Sequence, residues 1–211
     1  MAKPREDRLK IREEVAALKR QRTLDAATDL FYDKGYTNTT LDDVAEVLGV
    51  TKPFIYANFG SKSALLTEIC SLGVHGALEQ IEFVLSQNLP PAEALRLFVP
   101  RYVTAILRRQ KSIAINIREE KNLEPADAER LAELRQRFMS RVESLLAAGK
   151  EAGDIQVSDP RVSAFAIVGA VSWATFWFNP AGTLSVAQIA ERMSLVILNL
   201  VRDGRSGADA A

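Results

Sequence analysis

Apolar residues recur along this chain at intervals of three and four and nowhere in sustained alternation, which predicts a succession of helices and no strand. From about Arg20 to Lys34, Leu24, Ala27, Leu30 and Phe31 form one inward stripe, and Gly35 ends the helix. Residues 5–18 carry only a weak stripe (Leu9, Ile11, Val15, Leu18) and read as a charged helix or a frayed arm. Leu41, Val44, Ala45 and Leu48 then mark a short helix behind the N-cap candidate Thr40, and Gly49 stands where a left-handed residue stops it. Val50 reads as the apolar plug of a tight corner. Thr51 reads as a second N-cap, and Pro53 sits in the first turn of a helix barely two turns long. Ile55 and Phe59 are its inward residues, leaving Lys52, Phe54, Tyr56, Ala57 and Asn58 pointing out.

The remainder continues the same way. Ser61 caps a long helix from Lys62 to about Gln87, stopped by Asn88-Leu89-Pro90-Pro91. Five more helices are expected: Ala92–Arg109, kinked or broken at Pro100; Ser112–Asn122; Pro125–Ala152; an apolar helix capped by Ser158 or Asp159 and ending at Phe178; and Ser185 to about Arg202. The small, polar segment 204–211 reads as a disordered tail. The fold class is all-α.

The short corner helix carries the first hint of chemistry. No acid occurs from Val47 to Thr67, and its outward residues are a lysine, a tyrosine, an asparagine and hydroxyls, a set suited to a DNA groove. An ordinary αα-corner of a helical bundle is the plainer alternative. The residues that follow weigh against it. Val50-Thr51-Lys52-Pro53-Phe54-Ile55-Tyr56-Ala57-Asn58-Phe59-Gly60-Ser61-Lys62-Ser63-Ala64-Leu65-Leu66 resembles the signature of the TetR family of transcriptional repressors. There a Tyr-x-x-Phe pair closes the recognition helix and a Lys-x-x-Leu opens the next one. Ala26-Ala27, Leu30-Phe31, Gly35-Tyr36, Thr39-Thr40 and Val44-Ala45 resemble the family's approach to that motif.

The resemblance implies a basic arm over 1–19, a helix-turn-helix DNA-binding head over 20–68, and a helical ligand-binding and dimerisation body over 69–203. By resemblance and by position, Thr40, Thr51, Tyr56 and Lys62 are expected on phosphates. Lys52 can reach a guanine O6/N7 edge, Pro53, Phe54 and Ala57 a thymine methyl, and Asn58 a base or a phosphate. Phe54 stands where the family often has a small polar residue, so it either meets DNA or tucks back against the third helix. One short recognition helix offers few base contacts, so a homodimer on a palindromic operator is expected. The small-residue face Ala166, Gly169, Ala170 and Ala174, with Leu195 and Leu198 of the last helix, is the expected dimer contact, in agreement with the family's four-helix interface.

A body this large implies a small-molecule effector that favours the conformation misfitting DNA. Pocket candidates are Phe98, Tyr102, Ile106, Asn116, Phe138, Trp173, Phe176 and Trp177, each of which core packing explains as well. Trp177-Phe178-Asn179-Pro180-Ala181-Gly182 is similar to a sequence of TetR relatives that respond to CoA thioesters, which makes such a thioester one effector class beside drug-like or aromatic compounds.

Composition narrows the rest. Lysine plus arginine equals aspartate plus glutamate at 27 each, so only local charge speaks for nucleic acid. Lys3 to Arg22 holds eight basic residues against four acids, which either a basic arm or a solvated helix face accounts for. The one cysteine, Cys70, excludes an intrachain disulfide and fits a reducing cytoplasm, and the charge-broken start has no signal-peptide pattern. Val162–Phe178 is uncharged for seventeen residues, but hydroxyls and the missing basic flank favour a buried helix over a membrane span. With one histidine (His75, read as structural), one cysteine, no Gly-rich phosphate loop and no metal-ligand cluster, neither an enzyme nor a cofactor is expected. The remaining rival is an all-helical interaction or scaffold protein that does not bind DNA.

Overall fold

The computed structural model describes residues 3–201, with the backbone alone for 3–9. The expected tail at 204–211 lies outside the described residues. These fold into α1 (Lys3–Asp33), α2 (Leu41–Leu48), α3 (Lys52–Phe59), α4 (Lys62–Ser86), α5 (Pro91–Arg108), α6 (Gln110–Glu119), α7 (Pro125–Ala152), α8 (Pro160–Trp177) and α9 (Val186–Leu200), with a 3₁₀ turn at Glu120–Asn122 after α6. No strand occurs among the described residues, and no described helix is long and apolar enough to cross a membrane.

Two boundaries differ from expectation. The arm and the first helix are one helix: between Arg5 and Lys19 the chain is rich in Lys, Arg, Glu, Ala and Leu, and Pro4 falls in the first turn, so nothing interrupts the hydrogen-bond ladder. Pro100 does not break α5 either. Leu95, Phe98, Val99, Tyr102, Val103 and Ile106 are buried along that helix on both sides of the proline, and their packing outweighs one missing N–H.

The chain forms two compact units. One runs through Cys70 and takes in Ile115–Glu124; the other comprises Ser71–Ala114 and the chain from Pro125 onward. In the first, the head, Phe31 of α1, Val44 of α2, Ile55 and Phe59 of α3 and Leu65, Leu66 and Ile69 of α4 are buried together. In the second, the body, Phe98, Tyr102 and Val103 of α5 share a core with Phe138, Val142 and Leu146 of α7, Ile167 and Val171 of α8, and Ile189 and Ile197 of α9. Gln110 at the start of α6 donates to the carbonyls of Thr175 and Phe178 at 2.6 and 2.8 Å, satisfying the end of α8.

Candidate nucleic-acid interface

The corner between α2 and α3 is built by its local sequence. Thr40 Oγ1 accepts from the Asp43 N–H at 3.1 Å, while the Asp43 carboxylate accepts from the Thr40 N–H at 2.6 Å, a reciprocal capping box. These bonds from Thr40 hold the Asp43 carboxyl below its ordinary pKa. Gly49 adopts φ 64°, ψ 32°, a left-handed conformation that costs a residue with a Cβ more than glycine, and its N–H bonds back to Ala45 and Glu46. Val50, in the corner itself, is half-buried. Thr51 begins α3 with extended backbone, but its side chain makes no cap bond.

α3 is anchored by Ile55 and Phe59, both buried, each of which contributes about 1.5–3 kcal/mol by leaving water. Thr51, Lys52, Pro53, Tyr56 and Ala57 are exposed, Tyr56 to 46%. Phe54 and Asn58 differ from the expected outward set, being half-buried. The reason is the unbroken α1: Ile11, Arg12, Val15, Ala16 and Lys19 line a groove of about 350 Å³ with Phe54 and Asn58. Lys19 Nζ lies 5.7 Å from the centre of the Phe54 ring, a cation–π approach. Phe54 therefore tucks against the first helix. The Asn58 amide donates to the Phe54 carbonyl at 2.7 Å, so part of its bonding capacity is spent within the helix.

Several residues that the sequence did not single out fix this geometry. Arg20 donates to the Asn58 carbonyl at 2.7 Å, pairs with Glu68, and lies 4.5 Å from the centre of the Phe59 ring. It thereby ties the end of α3 to α1 and α4. Asp42 accepts from Lys52 Nζ at 2.7 Å, and that hydrogen bond raises the pKa of the lysine. Lys62 Nζ sits 4.3 Å from the centre of the Tyr36 ring, which in turn meets Phe31 edge-on at 5.2 Å. Partial burial there lowers the Lys62 pKa and raises that of Tyr36. Arg20, Glu68 and Asp42 carried no such signal in the sequence, whereas Tyr36 belongs to the Gly35-Tyr36 pair.

The pocket candidates differ in where they lie. Phe98, Tyr102 and Phe138 form one aromatic cluster, with Phe98 stacked on Tyr102 at 5.2 Å and Phe138 at 5.2 Å from Tyr102, and Ile106 is buried in the same core. Tyr102 is fully enclosed and bonds to Ser172; burial drives its pKa well above the ordinary phenol range. Trp173, Phe176 and Trp177 are instead exposed on α8, with the Trp173 and Phe176 rings 4.8 Å apart. Asn116 belongs to the head unit.

Of the expected dimer residues, Ala166, Gly169, Ala170 and Leu195 are exposed and Leu198 is half-buried. Ala174 is fully buried, because it lies on the Ile167–Val171 face of α8 that meets the core. Val162 and Phe165 of α8 and Val196 and Leu200 of α9 are also exposed, so each of the two helices presents apolar side chains to solvent.

Residues 24–69 match the family described as bacterial regulatory proteins, tetR family, and residues 88–201 match the tetracyclin repressor-like C-terminal domain. The chain belongs to the TetR family. It is a DNA-binding transcriptional regulator, of a family whose members are not enzymes and bind operator DNA and effectors, typically as dimers. Its relatives include the HTH-type transcriptional repressor KstR2 of Rhodococcus jostii, 25% identical over 183 residues that span 86% of this chain and 90% of the repressor. Among solved TetR structures, PfmR of Thermus thermophilus matches at TM-score 0.77 and 29% identity, over 84% of this chain and 97% of PfmR. AibR in complex with isovaleryl coenzyme A and operator DNA matches at TM-score 0.71 and 26% identity, over 84% of this chain and 96% of AibR.

Proposed function

We propose that this TetR-family regulator is a cytoplasmic repressor that binds a palindromic operator as a homodimer and leaves it when a small-molecule effector binds the body. The observation that carries the reading is the division of α3 into a buried Ile55–Phe59 side and an exposed side of Thr51, Lys52, Tyr56 and Ala57. Thr51, whose hydroxyl caps nothing, Thr40, Tyr56 and Lys62 take phosphates. Lys52 exchanges Asp42 for a base edge, Pro53 and Ala57 meet thymine methyls, and Asn58 uses its remaining capacity on a base or phosphate. Phe54 and Lys19 serve chiefly to hold α3 against α1.

The exposed apolar side chains of α8 and α9 support a two-fold contact between copies: Phe165 and Trp173 of the one and Leu195 and Leu200 of the other stay in water in a monomer, and a second copy would cover them. A CoA thioester is the effector class favoured by the Trp177-to-Gly182 sequence and by the resemblance to AibR, which was solved with isovaleryl coenzyme A. Selection of bound sequences from random duplex DNA tests the reading. Recovery of a palindrome is expected, and recovery of no preferred sequence would leave the scaffold alternative. Acyl-CoAs added to the complex with that palindrome should release it; no release at any physiological concentration would remove the thioester.

A further inference from the structure

The body holds a second concentration of charge that the repressor reading does not use. An open cleft of about 380 Å³ is lined by Gln80 of α4, by Pro100, Arg101, Thr104 and Arg108 of α5, and by Arg109 between α5 and α6. Three guanidinium groups share this cleft and no carboxylate lines it. Among the described residues none of the three has an ion-pair partner. Glu82, one residue before the Phe83 ring on which Arg101 stacks at 4.1 Å, is engaged elsewhere, at 2.8 Å from Arg137 and 3.5 Å from Arg141.

Arg101 Nε is buried without a hydrogen-bond partner, the one such side-chain atom among the described residues. A desolvated charged donor left unpaired is unfavourable and calls for an acceptor. Arg109 lies against a glycine: a Cβ on Gly76 would stand 2.7 Å from its Nη1, so an alanine there would push the guanidinium aside. The negative end of α5 accounts for Arg108 at its last turn. It does not account for Arg101, seven residues earlier.

We infer that this cleft is a binding site for the phosphate ester or pyrophosphate group of a small molecule. Guanidinium forks pair bidentately with phosphate oxygens, and three of them match a multiply charged phosphate better than a single carboxylate. The Gln80 amide supplies a neutral donor beside them, while the Thr104 hydroxyl spends its proton on the Pro100 carbonyl at 2.8 Å. The volume lies at the lower end of small-molecule sites, enough for a pyrophosphate or a phosphorylated ribose. The inference does not depend on the thioester proposal, because a free phosphorylated metabolite and the phosphorylated end of a CoA thioester present the same chemistry.

The test is calorimetric titration of the full-length, DNA-free protein at physiological ionic strength with inorganic pyrophosphate, adenosine 3′,5′-bisphosphate, coenzyme A and propionate. Saturable binding of at least one phosphorylated compound is expected, with none for propionate. Binding of pyrophosphate as tight as that of coenzyme A indicates a free phosphate ligand; tighter binding of coenzyme A or the bisphosphate indicates a nucleotide-borne one. Either supports the site provided that Arg101→Gln weakens binding by about tenfold or more, as loss of a charge-assisted pair should. Arg108→Gln, an exposed change, gives a second reading in a protein certain to keep its core, and Gly76→Ala should weaken binding with all three charges retained. The inference is overturned if no phosphorylated compound binds saturably, if Arg108→Gln and Gly76→Ala both bind like the parent, or if Arg108→Gln lowers operator affinity while leaving the titration unchanged.

Discussion

Two of the surfaces that this molecule exposes, one on the head and one on the body, are made of opposite materials. On the head, α3 shows hydroxyls, a lysine and a tyrosine, held in place by bonds that are themselves polar: Asp42 to Lys52, Arg20 to the Asn58 carbonyl, Lys62 over Tyr36. On the body, α8 and α9 show Val162, Phe165, Trp173, Phe176, Leu195 and Leu200 with no charged side chain between Arg161 and Glu191. The first surface suits a hydrated polyanion that must be released on demand, since its contacts weaken with salt. The second suits a partner of the same apolar kind, held without regard to ionic strength. A regulator needs both, one contact that switches and one that does not.

The comparison breaks most completely at the body. Trp173→Glu places a charge on the apolar face where it does not disturb the core, so the fold should survive while the dimer is lost. Light scattering should report a monomer, and operator affinity should fall by about a hundredfold or more as two linked heads become independent. At the head, Tyr56→Ala and Lys62→Ala should each weaken binding to every DNA sequence alike. For Lys62→Ala the slope of log affinity against log salt should fall by about one, the signature of one lost phosphate contact. Asp42→Ala is expected to act in the opposite direction. It frees Lys52 from its 2.7 Å partner and removes an acid facing DNA, so binding should tighten several-fold, most at low salt, in a titration of operator affinity.

The smallest effect concerns acid stability. Asp43 has a folded-state pKa below its ordinary value because Thr40 donates to its carboxylate. Its contribution is therefore present above the ordinary carboxylate pKa and lost as pH falls through the folded value. The melting temperatures of the parent and Asp43→Asn should accordingly differ slightly at neutral pH and converge in acid, once the pH has fallen through the depressed folded-state value.

Much of the architecture is local and was therefore legible in the sequence. Thr40, Gly49 and Pro53 set the corner by backbone chemistry within a few residues, and Asn88-Leu89-Pro90-Pro91 and Gly153-Asp154 stop helices where the periodicity ends. What stayed hidden depends on distant partners. Arg20 and Asn58 are 38 positions apart, and nothing in their neighbourhoods announces the bond. The residues of 115–124, expected within the body, group with the head, because which unit a helix end joins is a matter of tertiary packing. The continuity of α1 was missed for a different reason: a weak apolar stripe predicts poor packing, yet helix propensity alone sustains the extension, and that extension is what draws Phe54 and Asn58 inward. Arg101, Arg108 and Arg109 belong to no motif in the sequence, and only the missing acids around them in space set them apart.

The central claim is that the outward side of α3 reads DNA twice, through two copies related by a two-fold axis. Operator affinity of the parent and of Lys52→Ala, measured against every single-base-pair variant of the selected site, tests it most directly. The account predicts that the substitution relaxes preference at two base pairs placed symmetrically about the centre, each by about 1–3 kcal/mol. A loss spread evenly over all positions, or confined to one half of the site, would contradict it.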